Sequence, residues 1–150
     1  MDVDVGWGTG LDARLGKGAV FLGFGGGPRV GVEVAEHVDV HAEVRWLTLA
    51  GSTWLGRAGA GVHLERGAWQ PGAGVDAAVF WGASLRAVTA ENPNLVADVA
   101  PVLQLRLEPL RFAGERWSAG ALRLAIGSGW DRGGPALSLG LTLADVTIRF

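Results

Sequence analysis

Along nearly every extended segment of this chain, charged residues occupy one parity of a two-residue alternation and apolar residues occupy the other. In the first segment Val3, Val5, Trp7, Leu11, Ala13 and Leu15 fall on one parity, with Asp4, Gly6, Gly8, Gly10, Asp12 and Arg14 on the other. A period of two is the strand period, which sends successive side chains to opposite faces of a sheet. Two arrangements satisfy it. One is a barrel that is polar within and apolar without, as a bilayer requires of strands. The other is a soluble antiparallel barrel or sandwich whose apolar face lies inward.

Composition narrows the field. The chain has 150 residues, 49% of them hydrophobic and 19% charged, with a net charge of −2, so it reads as one domain with no charge signature for nucleic acid. No apolar run approaches the ~20 residues of a membrane helix. There is no cysteine, which excludes a disulfide framework and thiolate chemistry. Met1 precedes Asp2 without a basic and apolar leader; on the membrane reading a leader is expected to have been removed and replaced by an initiator Met.

Turn chemistry divides the chain into eight strands, near 2–15, 19–34, 38–50, 57–66, 71–86, 95–108, 117–129 and 136–150. The connections fall at 16–18, 35–37, 51–56, 67–70, 87–94, 109–116 and 130–135. If Gly25-Gly-Gly-Pro-Arg29 is a turn, the second strand splits and the count becomes ten. The expected fold is all-β, an antiparallel up-and-down barrel.

On the apolar side lie, among others, Val20, Leu22, Phe24, Val30, Val79, Leu85, Leu103, Leu105, Leu124, Ile126 and Leu139, and no charge appears there before Arg66. The opposite side carries Asp12, Arg14, Arg29, Glu33, Asp39, His41, Glu43, Arg45, His63, Glu65, Asp76, Arg86, Asp98, Arg106, Glu108 and Arg123. The signs are interleaved, as a narrow lumen requires, because an unpaired buried charge costs several kcal/mol. Glycine on this side decides between the two arrangements. Gly6, Gly8, Gly10, Gly23, Gly25, Gly27, Gly59, Gly61, Gly72 and Gly74 would weaken a solvated strand face, whereas a curved, crowded lumen needs small residues between long ones. Lysine occurs once, at Lys17 in an expected turn.

All seven tryptophans fall near expected strand ends or turns, with Trp7, Trp69 and Trp117 toward the end holding the termini and Trp46, Trp54, Trp81 and Trp130 toward the other. Two such groups resemble the aromatic girdles of a membrane barrel, although tyrosine is missing altogether. The chain closes on Val146-Thr-Ile-Arg-Phe150, a terminal aromatic with apolar residues at alternate positions behind it. Leu137 to Leu143 have the opposite parity, so a β-bulge is expected near Ala144 and Asp145.

This ending resembles the assembly signal of bacterial outer-membrane β-barrels, and the whole chain is similar in architecture to the small eight-stranded barrels typified by the OmpA transmembrane domain and OmpX. The resemblance implies residence in the bacterial outer membrane among membrane lipids. It also implies assembly by the insertion machinery reading Val146, Ile148 and Phe150, and leaves open an unidentified envelope protein as partner. The short connections disfavour adhesion through protruding loops; only 87–94 is long enough to display much. Lipid A-modifying barrels have similar size, and they need a histidine with a nearby Ser or acidic partner. No histidine follows His63, and Ser52, Ser84, Ser118, Ser128 and Ser138 lack one nearby, so an enzyme is not expected and no catalytic residue is assigned.

One polar cluster invites a sharper reading. If the third turn centres near Thr53, His41 falls opposite Glu65 and Glu43 opposite His63, close enough for direct bonding. Two imidazoles and two carboxylates are competent metal ligands, but a structural polar plug completed by Arg45 and Arg14 is the favoured reading. No cofactor or resident metal is expected. Gly25-Gly-Gly lacks the lysine and helix of a phosphate loop. Eight strands leave room only for side chains, so the lumen is expected to be closed by ion pairs, with a narrow pore as a lesser possibility. The expected function is a structural or interaction role in the envelope. The runner-up is a soluble β-barrel binding a small apolar ligand.

Overall fold

The period-two pattern produces nine antiparallel strands in the computed structural model, which describes residues 3–49, 52–84, 96–131 and 134–150. In chain order they are β1 (Val3–Leu15), β2 (Val20–Ala35), β3 (Val38–Leu49), β4 (Ser52–His63), β5 (Gly72–Ser84), β6 (Val96–Glu108), β7 (Leu110–Ala113), β8 (Trp117–Asp131) and β9 (Gly134–Arg149). Successive strands pair from β1 to β6 and from β7 to β9, β9 returns to β1, and β6 pairs with β8 rather than with β7, so the sheet closes on itself. The four-residue β7 follows β6 after Pro109 and runs along the same neighbour, β8. The barrel therefore has eight staves.

Closure has a measurable offset. The paired positions run from Asp4 through Gly31, His41, Gly59, Asp76, Gln104, Gly127 and Ser138 to Arg14, ten residues up β1 from the start (14 − 4). Eight strands ~4.8 Å apart, rising ~3.3 Å per residue, then tilt by about 40°.

Several boundaries differ from the sequence reading. β2 runs unbroken through Gly25 to Arg29, which removes the ten-strand alternative. Gly25 and Gly27 are needed there: a Cβ on either would lie 1.8 Å from a β3 carbonyl oxygen, that of Trp46 or Val44. Gly27→Val has no flexible side chain to push aside, and it should abolish recovery of folded barrel on refolding, read as loss of the heat-sensitive gel band. Pro28 has no N–H to offer, and the β2–β3 pairing is interrupted between Gly26 and Arg29. β4 begins at Ser52, not residue 57, because Ser52 and Trp54 face out while Thr53, Leu55 and Arg57 face in, continuing the alternation through the expected connection. β4 ends at His63, so Glu65 and Arg66 lie in an exposed connection. The bulge falls at Leu143 and Ala144, both exposed, where the β1–β9 register shifts; Val146, Ile148 and Phe150 consequently face out.

The facing is that of an inverted core. Val5, Phe24, Val40, Val62, Val75, Leu103, Leu105, Leu107, Leu124, Ile126 and Leu139 are exposed on the outside, while the buried set is dominated by Asp, Glu, Arg, His and Thr. The apolar-cavity alternative requires the reverse and is thereby overturned.

Candidate functional site in the closed lumen

The lumen is a stack of three layers. At mid-height Asp12, Glu43, Arg45, Arg57 and Arg123 form a tight knot from four strands, every member at most 4% exposed. Arg45 Nη1 and Arg57 Nη2 donate to the two Asp12 carboxylate oxygens at 3.0 and 2.8 Å. Glu43 accepts from Arg45 Nε and, at 2.7 Å, from Arg123 Nη2, and Arg57 Nη1 lies 3.5 Å away. Thr142 Oγ1 accepts from Arg45 and Arg123, while Gln104 links Arg57 to Ser138. Each carboxylate is thus held by two or three guanidiniums, which offsets the cost of removing these charges from water. Lumen glycines make the room: a Cβ at Gly140 would lie 2.6 Å from Asp12 Oδ1, and one at Gly74 would lie 2.5 Å from Arg106 Nη2.

Toward the termini the packing is looser. Arg106 lies 3.3 Å from Asp76 and 3.7 Å from Asp39, and is bonded to Glu108. Buried His41 stands 3.6 Å from both Asp39 and Asp76. Arg29 and Arg123 share Asp145 at 2.8 and 3.2 Å, and Arg111 reaches Asp39 at 4.0 Å. A cavity of ≈ 30 Å³ remains among Arg29, Glu108, Arg111, Arg123 and Asp145, the space of about one or two waters. At the mouth, Arg149 pairs with Asp4 and Glu33, and the His37 and His63 rings stack 5.9 Å apart.

At the opposite end the lumen turns apolar. Phe21, Leu47, Leu55 and Phe80 are at most 1% exposed and pack with Ala19, Ala78, Ala100 and Val102, the two phenyl rings stacking at 5.7 Å. Arg14, fully buried in the lumen beside this plug, donates to the Ala19 carbonyl oxygen at 3.2 Å.

The site residues read from the sequence divide accordingly. Asp12, His41, Glu43, Arg45, His63, Asp76, Arg106, Glu108 and Arg123 are buried in the lumen. Glu65 is exposed and outside it, which corrects its inclusion. The metal geometry is also corrected. His41 is opposite Gly59 and Glu43 opposite Arg57, because β3 and β4 pair from Thr48 opposite Ser52, a register six residues away from the expected one (65 − 59). Among the described residues no group of histidines and carboxylates is arranged to hold a metal ion. Arg86 and the Asp98 side chain lie outside the described residues, as do Leu85 and the 87–94 connection. Arg57, Gln104, Arg111, Thr142 and Asp145 were missed as members.

Outside, Trp46, Trp54 and Trp81 form one cross-strand row, stacked at 6.3 and 6.4 Å, with Trp46 Nε1 donating to Ser52. Trp69 and Trp117 lie at the termini end beside exposed Phe112 and Phe150, and Trp69 Nε1 donates to the Pro109 carbonyl. Trp117 and Trp130 bracket β8, 13 residues apart (130 − 117). At a tilt of about 40° that spans about 33 Å of height, close to the ~30 Å hydrocarbon thickness. Trp7 departs from the expected girdle. Counting the ladder steps through Gly26 to Trp46, it lies about 11 Å below Trp46, inside the apolar band rather than at its edge.

No family model matches the chain, and neither does any curated protein. Solved structures do. Neisserial surface protein A aligns with a TM-score of 0.70 at 11% identity, covering 99% of this chain and 97% of that one. The N-terminal β-barrel domain of Pseudomonas aeruginosa OprF aligns at 0.59, with 11% identity over 99% and 97%. Ail, the attachment invasion locus protein of Yersinia pestis, in complex with the heparin analogue sucrose octasulfate, aligns at 0.55, with 9% identity over 99% and 98%. The chain has the fold of the eight-stranded outer-membrane β-barrels. At these identities the likeness is one of fold alone.

Proposed function

We propose that this chain is a small integral protein of the bacterial outer membrane with a structural or interaction role, performing neither catalysis nor conduction. The observation that carries the reading is the pairing of a continuous apolar exterior, bounded by tryptophans, with a lumen filled by an ion-pair knot and an apolar plug. An exterior of this kind has no stable place in water, and a lumen of this kind leaves no continuous aqueous path. Exposed Val146, Ile148 and Phe150 on the last strand are available to the insertion machinery, the partner we assign for assembly, and lipid is the partner of the belt. An envelope protein partner remains to be identified by capture from outer membranes.

Refolding into detergent micelles tests the core of this reading. The expected result is a β-rich circular dichroism spectrum that requires detergent, with boiled and unboiled samples migrating differently. A β-rich, monodisperse protein in plain buffer would overturn it. In planar bilayers the refolded protein should give no current steps, and regular steps would overturn the closed lumen.

A further inference from the structure

The outer wall carries a groove of ≈ 550 Å³ between β1, β2 and β3, walled by Trp7, Phe24, Val44 and Trp46 and reaching Trp54 at its upper end. Its floor lies at Gly26, the one outward position between Phe24 and Pro28 that lacks a side chain. The Trp7 indole leans across it, with Nε1 2.9 Å from where a Gly26 Cβ would sit. The upper end is at the Trp46–Trp54 row, and the lower end is Trp7, about 11 Å beneath Trp46 and about 14 Å beneath Trp54 by the ladder count. One leaflet of hydrocarbon is about 15 Å deep. By the same count Trp7 lies about 11 Å above Trp117, so the groove starts about 10 Å beneath the level of Trp130, runs down to the middle of the apolar belt, and is continuous with it.

On the reading of this chain as an outer-membrane barrel, we propose that the groove is a binding slot for one acyl chain of a membrane lipid. The chain would lie against the Trp7 and Trp46 ring faces and fill the depression over Gly26, with its headgroup above Trp46 and Trp54 at the level of Ser52. Flat rings and a missing side chain give a methylene chain more contact than it finds over Val75, Val79 and Leu103, which line neither this groove nor the second outer one of ≈ 600 Å³, whose walls at Leu22, Leu105, Leu107, Leu124 and Ile126 are aliphatic and carry no ring. The groove lining is apolar, with Thr9 and Thr48 its only side-chain hydroxyls, which suits a hydrocarbon chain and offers a headgroup nothing lower down.

The test uses the whole chain refolded into phosphatidylcholine vesicles doped with a phosphatidylcholine that bears a diazirine midway along one acyl chain. After irradiation, adducts are mapped by peptide mass spectrometry. Labelling of Trp7, Phe24 and Val44 should exceed that of Val75, Val79 and Leu103 by about fivefold, a modest affinity difference. Gly26→Leu should bring the two sets level. Because that side chain also displaces Trp7, Val44→Trp fills the slot from the β3 side as a second variant, with the same expectation. Even labelling around the wild-type barrel would overturn the slot while leaving the membrane reading intact, and absence of label everywhere would overturn the membrane reading itself. Protein-to-protein adducts at Trp7 and Val44, with lipid excluded, would assign the groove to a second copy of this chain and overturn the lipid occupant.

Discussion

Leu105→Arg should prevent stable insertion. Leu105 lies in the middle of β6, paired with Val75 and Ile126, and is 61% exposed toward the belt. An arginine at the bilayer midplane of a barrel exterior costs about 2–4 kcal/mol, a large share of a small domain's stability. The measurement is the yield of heat-sensitive barrel on refolding into vesicles, followed by the urea midpoint of whatever inserts, with Leu105→Val as the control. Unchanged yield and midpoint would mean that this face does not meet lipid. The converse substitution discriminates equally well: Arg106→Leu strips Asp76, Asp39 and Glu108 of a shared cation, and it should be tolerated only if this side of the sheet faced water.

Glu43→Leu should destabilise the inserted barrel by about 3–5 kcal/mol, because it leaves three guanidiniums, of Arg45, Arg57 and Arg123, around a vacated carboxylate. Adding Arg123→Leu to that variant should recover part of the loss, since removing both partners of a buried pair costs less than removing one. Urea unfolding in vesicles followed by tryptophan fluorescence reads both. A loss below about 1 kcal/mol for Glu43→Leu would mean that the knot is hydrated and contributes little.

The two sets of residues that alternation failed to place failed for different reasons. Phe21, Leu47, Leu55 and Phe80 have the inward parity, but each is apolar and adjoins an outward Leu22, Trp46, Trp54 or Trp81, so the period of two vanishes just where the plug forms. Asp145 lies beyond the bulge, where the parity has already inverted, and Arg57 was the first residue of the expected strand 57–66, so the inward run Thr53, Leu55, Arg57 was cut by the connection expected at 51–56. The histidine cluster shows a third kind of limit. Moving the turn between β3 and β4 slid the register by an even number of residues, so every side chain kept its face while every partner changed.

What the sequence by itself determined is which side of the sheet each residue takes, because facing follows from the pleat and needs no knowledge of neighbours. That alone places the charges inward and most leucines and valines outward. Only the tertiary structure decided which charges meet. Partnership across a barrel depends on turn length and on the ten-residue offset at closure, neither of which leaves a mark in the polarity of single residues, and on the bulge at Leu143, which shows there as a switch of parity without its partners. Asp12 from β1 meets Arg45 from β3 and Arg57 from β4 because closure and tilt bring their strands to one height across the lumen.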